Sequence, residues 1–152
     1  MTGLYCDTSA LVKLYVEEDG SDAVHDAVAA ADYVATASIA YVEARCAFAR
    51  KRNEGAIKAP DYRRIVHDLD ADWPRYLVLV VRDPLLREAA ALADRMSARK
   101  GGIVLRAYDS IHLAAALRLR ASEKRMLKFA AWDVRLREAA RRRKFTLLPQ
   151  RL

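Results

Sequence analysis

The sequence predicts an α/β fold built on a mainly parallel sheet with helices on both faces. Short apolar runs alternate along the 152 residues with longer segments whose apolar side chains recur at helical spacing. Such alternation is typical of a parallel sheet, because each helix returns the chain to the start of the next strand. No linker, repeat or low-complexity segment interrupts the pattern, so residues 1–152 are expected to form a single domain.

The composition is typical of a globular protein, with 53% apolar residues, five glycines and four prolines. The longest apolar run, Tyr76–Val81, is too short to span a membrane. The first residues also lack the charged and long apolar regions of a secretion signal. Cys6 and Cys46 both lie in apolar segments, which favours a reducing, cytoplasmic setting, and Cys46 is expected to fill the core.

The first strand and helix are predicted at the start of the chain. Leu4–Cys6 is apolar and is followed directly by Asp7. Thr8 or Ser9 is expected to cap the next helix, because a side-chain hydroxyl oxygen accepts an otherwise free helix N–H. Asp7 is therefore expected at the carboxyl end of a strand, which is the edge where open α/β sheets bind ligands.

A second helix, a strand and a third helix follow. The helix Asp22–Ala31 leads to a short buried strand, Tyr33–Ala37. Ser38 is expected to cap the helix Ile39–Arg52, which ends at Asn53–Gly55 as helices commonly do at Asn or Gly. The core-facing side of this helix is expected to carry Ile39, Val42, Cys46 and Ala49.

The middle of the chain is predicted to form two helices around a buried strand. Pro60 begins a helix that runs to Trp73. Leu77–Val81 is a continuous apolar run, which predicts a strand covered on both faces. Pro84 begins a long helix that Gly101–Gly102 ends.

The last third is predicted to be helix, strand, helix and strand: Ser110–Arg120, Met126–Trp132, Val134–Lys144 and Phe145–Leu148. This part is strongly basic, since residues 118–152 contain twelve basic and three acidic residues. A basic region of this kind favours a polyanionic partner, of which nucleic acid is the commonest in a cytoplasm, although a solvated basic helix has the same composition.

Four acidic residues lie at positions that are unusual for surface carboxylates. Asp7 and Asp133 each follow an apolar strand, so a parallel sheet brings both to one edge. Asp109 lies at the start of a helix, where the helix dipole favours an anion. Glu43 has small or apolar neighbours one turn away on both sides, which predicts a partly buried carboxylate that needs a partner.

Each residue also has an ordinary structural interpretation. Asp7 and Asp109 have the positions of helix caps, and Asp133 that of a turn residue after a strand. Glu43 lies in mid-helix and cannot be a cap, but it could pair at the surface with Arg50 or Lys51. His112, one turn after Asp109, is expected to pack or to support a neighbouring ligand rather than bind metal itself.

Convergence of these four carboxylates would require a cation. Two carboxylates 4 Å apart repel by about 4 kcal/mol at an effective dielectric constant near 20. An all-oxygen set without clustered Cys or His suits Mg²⁺ or Mn²⁺ rather than zinc. A metal-bound water beside a phosphodiester is a hydrolytic nucleophile, so acids grouped in a basic protein suit the cleavage of nucleic acid.

Four segments carry a resemblance to a known family: Tyr5–Tyr15, Ser38–Ala44, Leu105–Ala116 and Phe129–Ala140. With them the sequence resembles a PIN domain of the VapC type, the toxin ribonucleases of toxin–antitoxin pairs. It implies an α/β/α sandwich of three layers with about five parallel strands. It also implies metal-dependent cleavage of RNA, homodimers, and silencing by a small antitoxin protein that blocks the groove.

The resemblance also assigns the residues. Asp7, Glu43, Asp109 and Asp133 stand where the family keeps its acidic quartet, and Ser9 stands where a hydroxyl supports the first aspartate. The family often has Thr or Ser two residues before its last acid, where this chain has Ala131, so Asp7 and Asp109 are the expected primary metal ligands. For contacts to RNA phosphates the sequence offers the basic run Arg141, Arg142, Arg143 and Lys144.

Two other functions are compatible with this sequence. One is a structure-specific DNA nuclease, since related folds use similar acidic sites, although the chain is small and adds no domain for gripping DNA. The other is a module that binds nucleic acid or a protein partner without turnover, which the loss of one of the acids would favour.

Overall fold

The computed structural model describes residues 2–123 and 126–151, and within them the chain forms a five-stranded parallel sheet with helices on both faces. The predicted fold class is confirmed. The strand order is β3-β2-β1-β4-β5. The strands are β1 (Thr2–Cys6), β2 (Tyr33–Ala37), β3 (Leu77–Leu79), β4 (Met126–Ala130) and β5 (Thr146–Leu148). The helices are α1 (Thr8–Val12), α2 (Ser21–Ala30), α3 (Ile39–Asn53), α4 (Ala59–Asp72), α5 (Asp83–Ser97), α6 (Ala107–Glu123) and α7 (Val134–Arg142).

The central strand β1 separates two hydrophobic cores. Leu4 and Cys6 point into one core, which α1, α3 and α4 cover. Tyr5 points to the opposite face, where α5, α6 and α7 form the other core and the Tyr5 ring stacks on Phe129 of β4 at 5.4 Å between centroids. Alternation of side chains along a strand with both faces covered produces the three layers.

The buried face of α3 differs from the predicted one. Ala40, Ala44 and Phe48 are fully buried, whereas Val42 is 57% exposed and Cys46 is exposed. The predictions of a core-facing stripe through Val42 and Cys46, and of Cys46 as a core residue, were therefore wrong. Small alanines let α3 lie close to α1, and hydrophobicity alone does not reveal this face.

The prediction that Leu77–Val81 is covered on both faces was also wrong. The strand β3 is the outer strand next to β2, and only Leu77–Leu79 pairs with it. Leu77 is 43% exposed, and Val80 beyond the strand is exposed as well. A continuous apolar run indicates a strand but does not tell a central strand from an edge strand.

No helix in the described ranges is both long and apolar enough to cross a lipid bilayer.

Candidate functional site

The two strand-end aspartates lie side by side at the carboxyl edge of the sheet. Strands β1 and β4 pair in parallel, with Cys6 opposite Ala130, and the backbone N–H of Asp7 donates to the carbonyl of Ala130 at 3.0 Å. Asp133 follows three residues after Ala130. The strand that follows β1 in the chain, β2, lies on one side of β1, and β4 lies on the other side. The strand order therefore reverses between β1 and β4, and ligands of open α/β sheets usually bind at the carboxyl ends of the strands at such a point.

Asp7, rather than Thr8 or Ser9, is the N-cap of α1. Its Oδ1 accepts the backbone N–H of Ala10 at 2.8 Å, and Ser9 Oγ lies 2.7 Å from Oδ1 and 2.9 Å from Oδ2. The residue is 4% exposed. Burial raises the pKa of Asp7 to about 6 and the nearby charge of Asp109 adds to this, although His112 and the hydrogen bonds from Ser9 and Ala10 oppose it. Asp7 therefore caps α1 and at the same time interacts with the other charged residues of the site.

Ser9 joins the two strand ends through one hydroxyl. While its Oγ donates to Asp7, it accepts the backbone N–H of Trp132 at 2.9 Å. Ala131 next to it is fully buried and has no side chain that could support Asp133. The predicted hydroxyl support for the first aspartate is thus matched by an observed hydrogen bond.

Asp109 and Asp133 face each other across the same edge. Asp109 lies in the first turn of α6, and its Oδ2 is buried without a hydrogen-bond partner among the residues that the structure describes. Burial and the charge of Asp133 raise the pKa of Asp109, and Arg106 opposes the shift. Asp133 is the N-cap of α7, since Oδ1 accepts the N–H of Leu136 at 2.9 Å, while Oδ2 lies 3.9 Å from Arg106 Nη1.

Glu43 reaches the site from α3 and is held by two side chains. Its Oε2 accepts a hydrogen bond from Thr8 Oγ1 at 2.6 Å and lies 3.0 Å from His112 Nε2. The alternative pairing of Glu43 with Arg50 or Lys51 is not observed, because these bases pair with Glu54 and Glu18.

His112 is buried behind Glu43 and links it to the core. Its Nδ1 lies 3.0 Å from the Tyr5 hydroxyl, and Nε2 lies 3.1 Å from Thr8 Oγ1. Burial raises the pKa of Tyr5 well above its ordinary value, so the phenol stays protonated and can donate to Nδ1. The Nε2–H then points at the Glu43 carboxylate, which agrees with the predicted supporting role of His112.

The four predicted acids line one cavity of about 700 Å³. Sequence reasoning missed several other residues of its wall, whose chemistry is visible only once α1, α3 and α6 are packed together. They are Thr8, Val12, Glu18, Cys46, Ala47, Arg50, Lys51 and Arg106. The wall therefore carries bases as well as acids, and the bases come from α3 and from the residue preceding α6.

The predicted phosphate-binding run does not line this cavity. Arg141 and Arg142 both bind Glu138 on the outer surface of α7, and the carbonyl of Arg143 accepts from Arg120. Lys144 lies just before the amino end of β5, whose first residue Thr146 pairs with Lys128 and whose last residue Leu148 pairs with Ala130 at the carboxyl end of β4. This run is thus at the opposite edge of the sheet from Asp133.

The donor set fits a hard divalent cation. Among the described residues, no group of three or more His, Cys, Asp or Glu side chains is arranged as a ready-made metal site. Mg²⁺, however, is commonly bound by one or two carboxylates together with waters and substrate phosphates. The unpartnered Oδ2 of Asp109 and the raised pKa values of Asp7 and Asp109 are the features that such a cation would relieve.

Comparisons with known proteins agree with this geometry. No curated protein matches the sequence. Among solved structures, the chain is similar to FitAcB from Neisseria gonorrhoeae, with a TM-score of 0.69, 16% identity and 97% of both chains covered. It is also similar to FitAB bound to an IR36 DNA fragment, with a TM-score of 0.70, 15% identity, and 98% of this chain and 96% of that chain covered.

A third similar structure is VapBC2 from Rickettsia felis bound to a DNA fragment from their promoter, with a TM-score of 0.64, 14% identity and 97% of both chains covered. Identities this low show a shared fold. The family model for the PIN domain, in contrast, matches the sequence itself over residues 4–142. Because this match spans nearly the whole sequence, the chain belongs to the PIN domain family.

Proposed function

We propose that this chain is a Mg²⁺- or Mn²⁺-dependent endoribonuclease. The observation that carries the proposal is the convergence of Asp7, Glu43, Asp109 and Asp133, from four separate elements, on one cavity. PIN domains are in general nucleases, and the VapC-type resemblance of the sequence points to RNA as the substrate.

Asp7 and Asp109 are the proposed metal ligands, and Glu43 and Asp133 complete the site. The fixed hydrogen bonds to Asp7 and Glu43 hold both carboxylates in place before a substrate arrives. A bound divalent cation would supply a water of lowered pKa and would offset the charge of the phosphate. Glu43 and Asp133, which lie on different walls, would orient that water by accepting its hydrogen atoms.

The basic residues of the wall are suited to hold the RNA backbone. Arg106 is exposed beside Asp133, and Arg50 and Lys51 lie on the α3 side of the cavity. They place positive charge on both sides of the carboxylates, where it offsets the repulsion between the acidic wall and a polyanion. The run Arg141–Lys144 stays a prediction for RNA contacts away from the cavity.

We further propose that the nuclease acts as the toxin of a toxin–antitoxin pair in the cytoplasm, as a homodimer that a cognate antitoxin protein silences. The similar solved structures are FitAB and VapBC complexes, which supports a protein partner of this kind. The test is to add the product of a short reading frame next to this gene. Inhibition of RNA cleavage at an equimolar ratio is expected, and a lack of any effect on cleavage contradicts the antitoxin assignment.

The central experiment incubates purified protein with total cellular RNA in Mg²⁺, in Mn²⁺ and in EDTA, and maps the new RNA ends. We expect endonucleolytic cuts in the metal samples and none in EDTA. Single-stranded and duplex DNA of the same sequences are included in parallel. Preferential cleavage of DNA supports the DNA nuclease alternative, and no cleavage of either nucleic acid supports a binding module.

Asp7→Asn is the variant that ties cleavage to the site, and Asp94→Asn is its control. Asp94 is exposed on α5 outside the cavity lining, so the same chemical change there leaves the carboxylates intact. We expect Asp7→Asn to abolish cleavage and Asp94→Asn to cut as the wild type does. Cleavage by Asp7→Asn at the wild-type rate contradicts the proposed site.

A further inference from the structure

One acidic residue of the cavity wall belongs to a different arrangement from the other four. Glu18, in the loop between α1 and α2, binds two lysines at once. Its Oε1 accepts from Lys13 Nζ at 2.7 Å, and its Oε2 accepts from Lys51 Nζ at 2.5 Å. Lys13 follows α1 and Lys51 lies near the end of α3, so the carboxylate joins two helices across the end of the cavity.

The loop that carries Glu18 is fixed by its surroundings. Gly20 has φ +88° and lies against the Trp132 indole, where a Cβ atom would come within 2.7 Å of the ring. Ser21 donates to the carbonyl of Val16 and accepts the backbone N–H of Glu18. Glu18 is therefore held in place from both sides along the loop.

Lys13 is part of this framework and is not available to a ligand. It is 7% exposed, and its ammonium lies 4.9 Å from the centroid of the Trp132 ring. An ammonium over an indole face is stabilised by the ring electrons, and here it is also paired with Glu18. Trp132 in turn donates its backbone N–H to Ser9, so this cluster and the Asp7 carboxylate share one scaffold.

Lys51 differs from Lys13 because it lines the cavity. Its ammonium has three N–H donors, and Glu18 is its one hydrogen-bond partner in the part of the chain that the structure describes. Glu18 stays ionised, because hydrogen bonds from Lys13 and Lys51 lower its pKa although partial burial opposes this. One carboxylate thus faces two ammonium groups, and the cluster has an excess positive charge directed at the cavity.

We propose that Lys51 is the phosphate-binding residue of a subsite beside the carboxylate centre, with Glu18 and Lys13 holding its ammonium in position and Arg50 next to it. The inference rests on the proposed function, since the phosphate it assigns is one in an RNA backbone, next to the scissile one. The same geometry binds a phosphodiester whether or not the chain cuts it.

A purely structural salt bridge is the alternative, and it predicts a different outcome. If Glu18 only ties the loop to α3, loss of Lys51 lowers the melting temperature and leaves RNA binding at its wild-type strength and salt dependence. If Lys51 contacts a phosphate, its loss weakens RNA binding. About one counterion fewer is then released when RNA binds, so the affinity depends less on salt.

The experiment measures binding of a fluorescein-labelled 12-nucleotide single-stranded RNA of mixed sequence by fluorescence polarisation, in EDTA, from 50 to 200 mM KCl. Lys51→Met keeps the aliphatic stem and removes the charge, and Lys51→Arg keeps the charge. Lys100→Met makes the same charge change in an exposed loop outside the cavity lining. Thermal melts of every variant check that it is folded.

We expect Lys51→Met to bind RNA about tenfold more weakly and to reduce the slope of log K against log salt by about 0.7. Lys51→Arg and Lys100→Met are expected to stay within about twofold of the wild type. Equal weakening by Lys51→Met and Lys100→Met, or an unchanged affinity and slope in Lys51→Met, overturns the subsite.

Glu18→Gln tests whether Glu18 positions the Lys51 ammonium. If only the net charge of the wall matters, removal of a negative charge strengthens RNA binding. If Glu18 holds the ammonium in position, its loss frees the Lys51 side chain and weakens RNA binding. We expect weaker binding, and tighter binding overturns the role of Glu18. All of these measurements are made without metal, so a wild-type protein that binds as expected but never cuts RNA contradicts the proposed function and not this subsite.

Discussion

His112 Nε2 lies 3.0 Å from Glu43 Oε2, and this contact connects α6 to α3 across the top of the sheet. The protonated Tyr5 hydroxyl lies 3.0 Å from Nδ1 and can donate to it, which makes Nε2–H available to Glu43. Glu43 is therefore held by a buried imidazole that is itself fixed by a second hydrogen bond. An isolated Glu on a helix would sample several rotamers, and this one is restricted to the cavity.

Replacement of His112 is expected to weaken metal binding and cleavage together. Loss of a group that orients a carboxylate of a metal site typically reduces metal affinity or activity about 10- to 100-fold. His112→Ala should reduce the rate of RNA cleavage by that factor and reduce Mn²⁺ affinity measured by calorimetry. His67→Ala, in an exposed position on α4, is the control. Unchanged Mn²⁺ affinity in His112→Ala contradicts the positioning role.

Asp7→Asn is expected to stabilise the metal-free protein at neutral pH while it abolishes cleavage. The Asp7 pKa is raised to about 6 by burial, so the folded chain holds a proton that the unfolded chain has lost above about pH 4. The contribution of Asp7 to the free energy of unfolding is thus lost as the pH rises from about 4 to about 6, by about 3 kcal/mol.

Asparagine can still cap α1 and carries no charge, so we expect Asp7→Asn to raise the free energy of unfolding at pH 7 by about 1–3 kcal/mol in EDTA. Urea denaturation at pH 5 and pH 7 checks the sign, since the gain should shrink at pH 5. A variant less stable than the wild type at pH 7 shows that the buried charge is not the dominant effect.

Metal should stabilise the wild type more at higher pH. A cation competes with the proton on Asp7, whose pKa is about 6, and on Asp109, whose pKa is also raised. We expect 5 mM Mn²⁺ to raise the melting temperature more at pH 7.5 than at pH 5.5, and to have no such effect on Asp109→Asn. Equal shifts at both pH values indicate that these carboxylates do not bind the metal.

Arg106 and the basic run on α7 can be separated by their effects on catalysis. Arg106 is exposed at the cavity beside Asp133, whereas Arg141 and Arg142 bind Glu138 at the other edge of the sheet. We expect Arg106→Ala to raise KM for RNA by about threefold to tenfold. The double variant Arg141→Ala with Arg142→Ala is expected to affect long RNAs but not short oligonucleotides. If the double variant raises KM for short oligonucleotides more than Arg106→Ala does, the two assignments are reversed.

The fold and the four acids could be predicted because their signals are local. Asp7 and Asp133 each follow a strand, and parallel strands end at one edge, so adjacency of β1 and β4 is enough to bring them together. Glu43 was identified by its small and apolar neighbours one turn away, of which Ala40 is buried and Cys46 is exposed. Chain-local chemistry thus predicted that these acids lie at one edge of the sheet, where they line one cavity.

The rest of the wall depends on packing between distant segments and has no such signal. Lys13, Glu18 and Lys51 form their cluster only because the loop after α1 meets the end of α3. The face of α3 was assigned wrongly because Ala40, Ala44 and Phe48 are buried, whereas Val42 and Cys46 are exposed. The run Arg141–Lys144 stood out by composition, but the sheet register puts it far from the acids.

The pairing of β1 with β4 also has a consequence for how such an enzyme is synthesised. The centre combines the first strand with a segment more than a hundred residues later, since Tyr5 lies opposite Phe129. A growing polypeptide on the ribosome that has not reached β4 therefore lacks Asp133, one of the four carboxylates, and the strand that pairs with β1 beside Asp7. A centre built in this way is completed only near the end of the synthesis of its own chain.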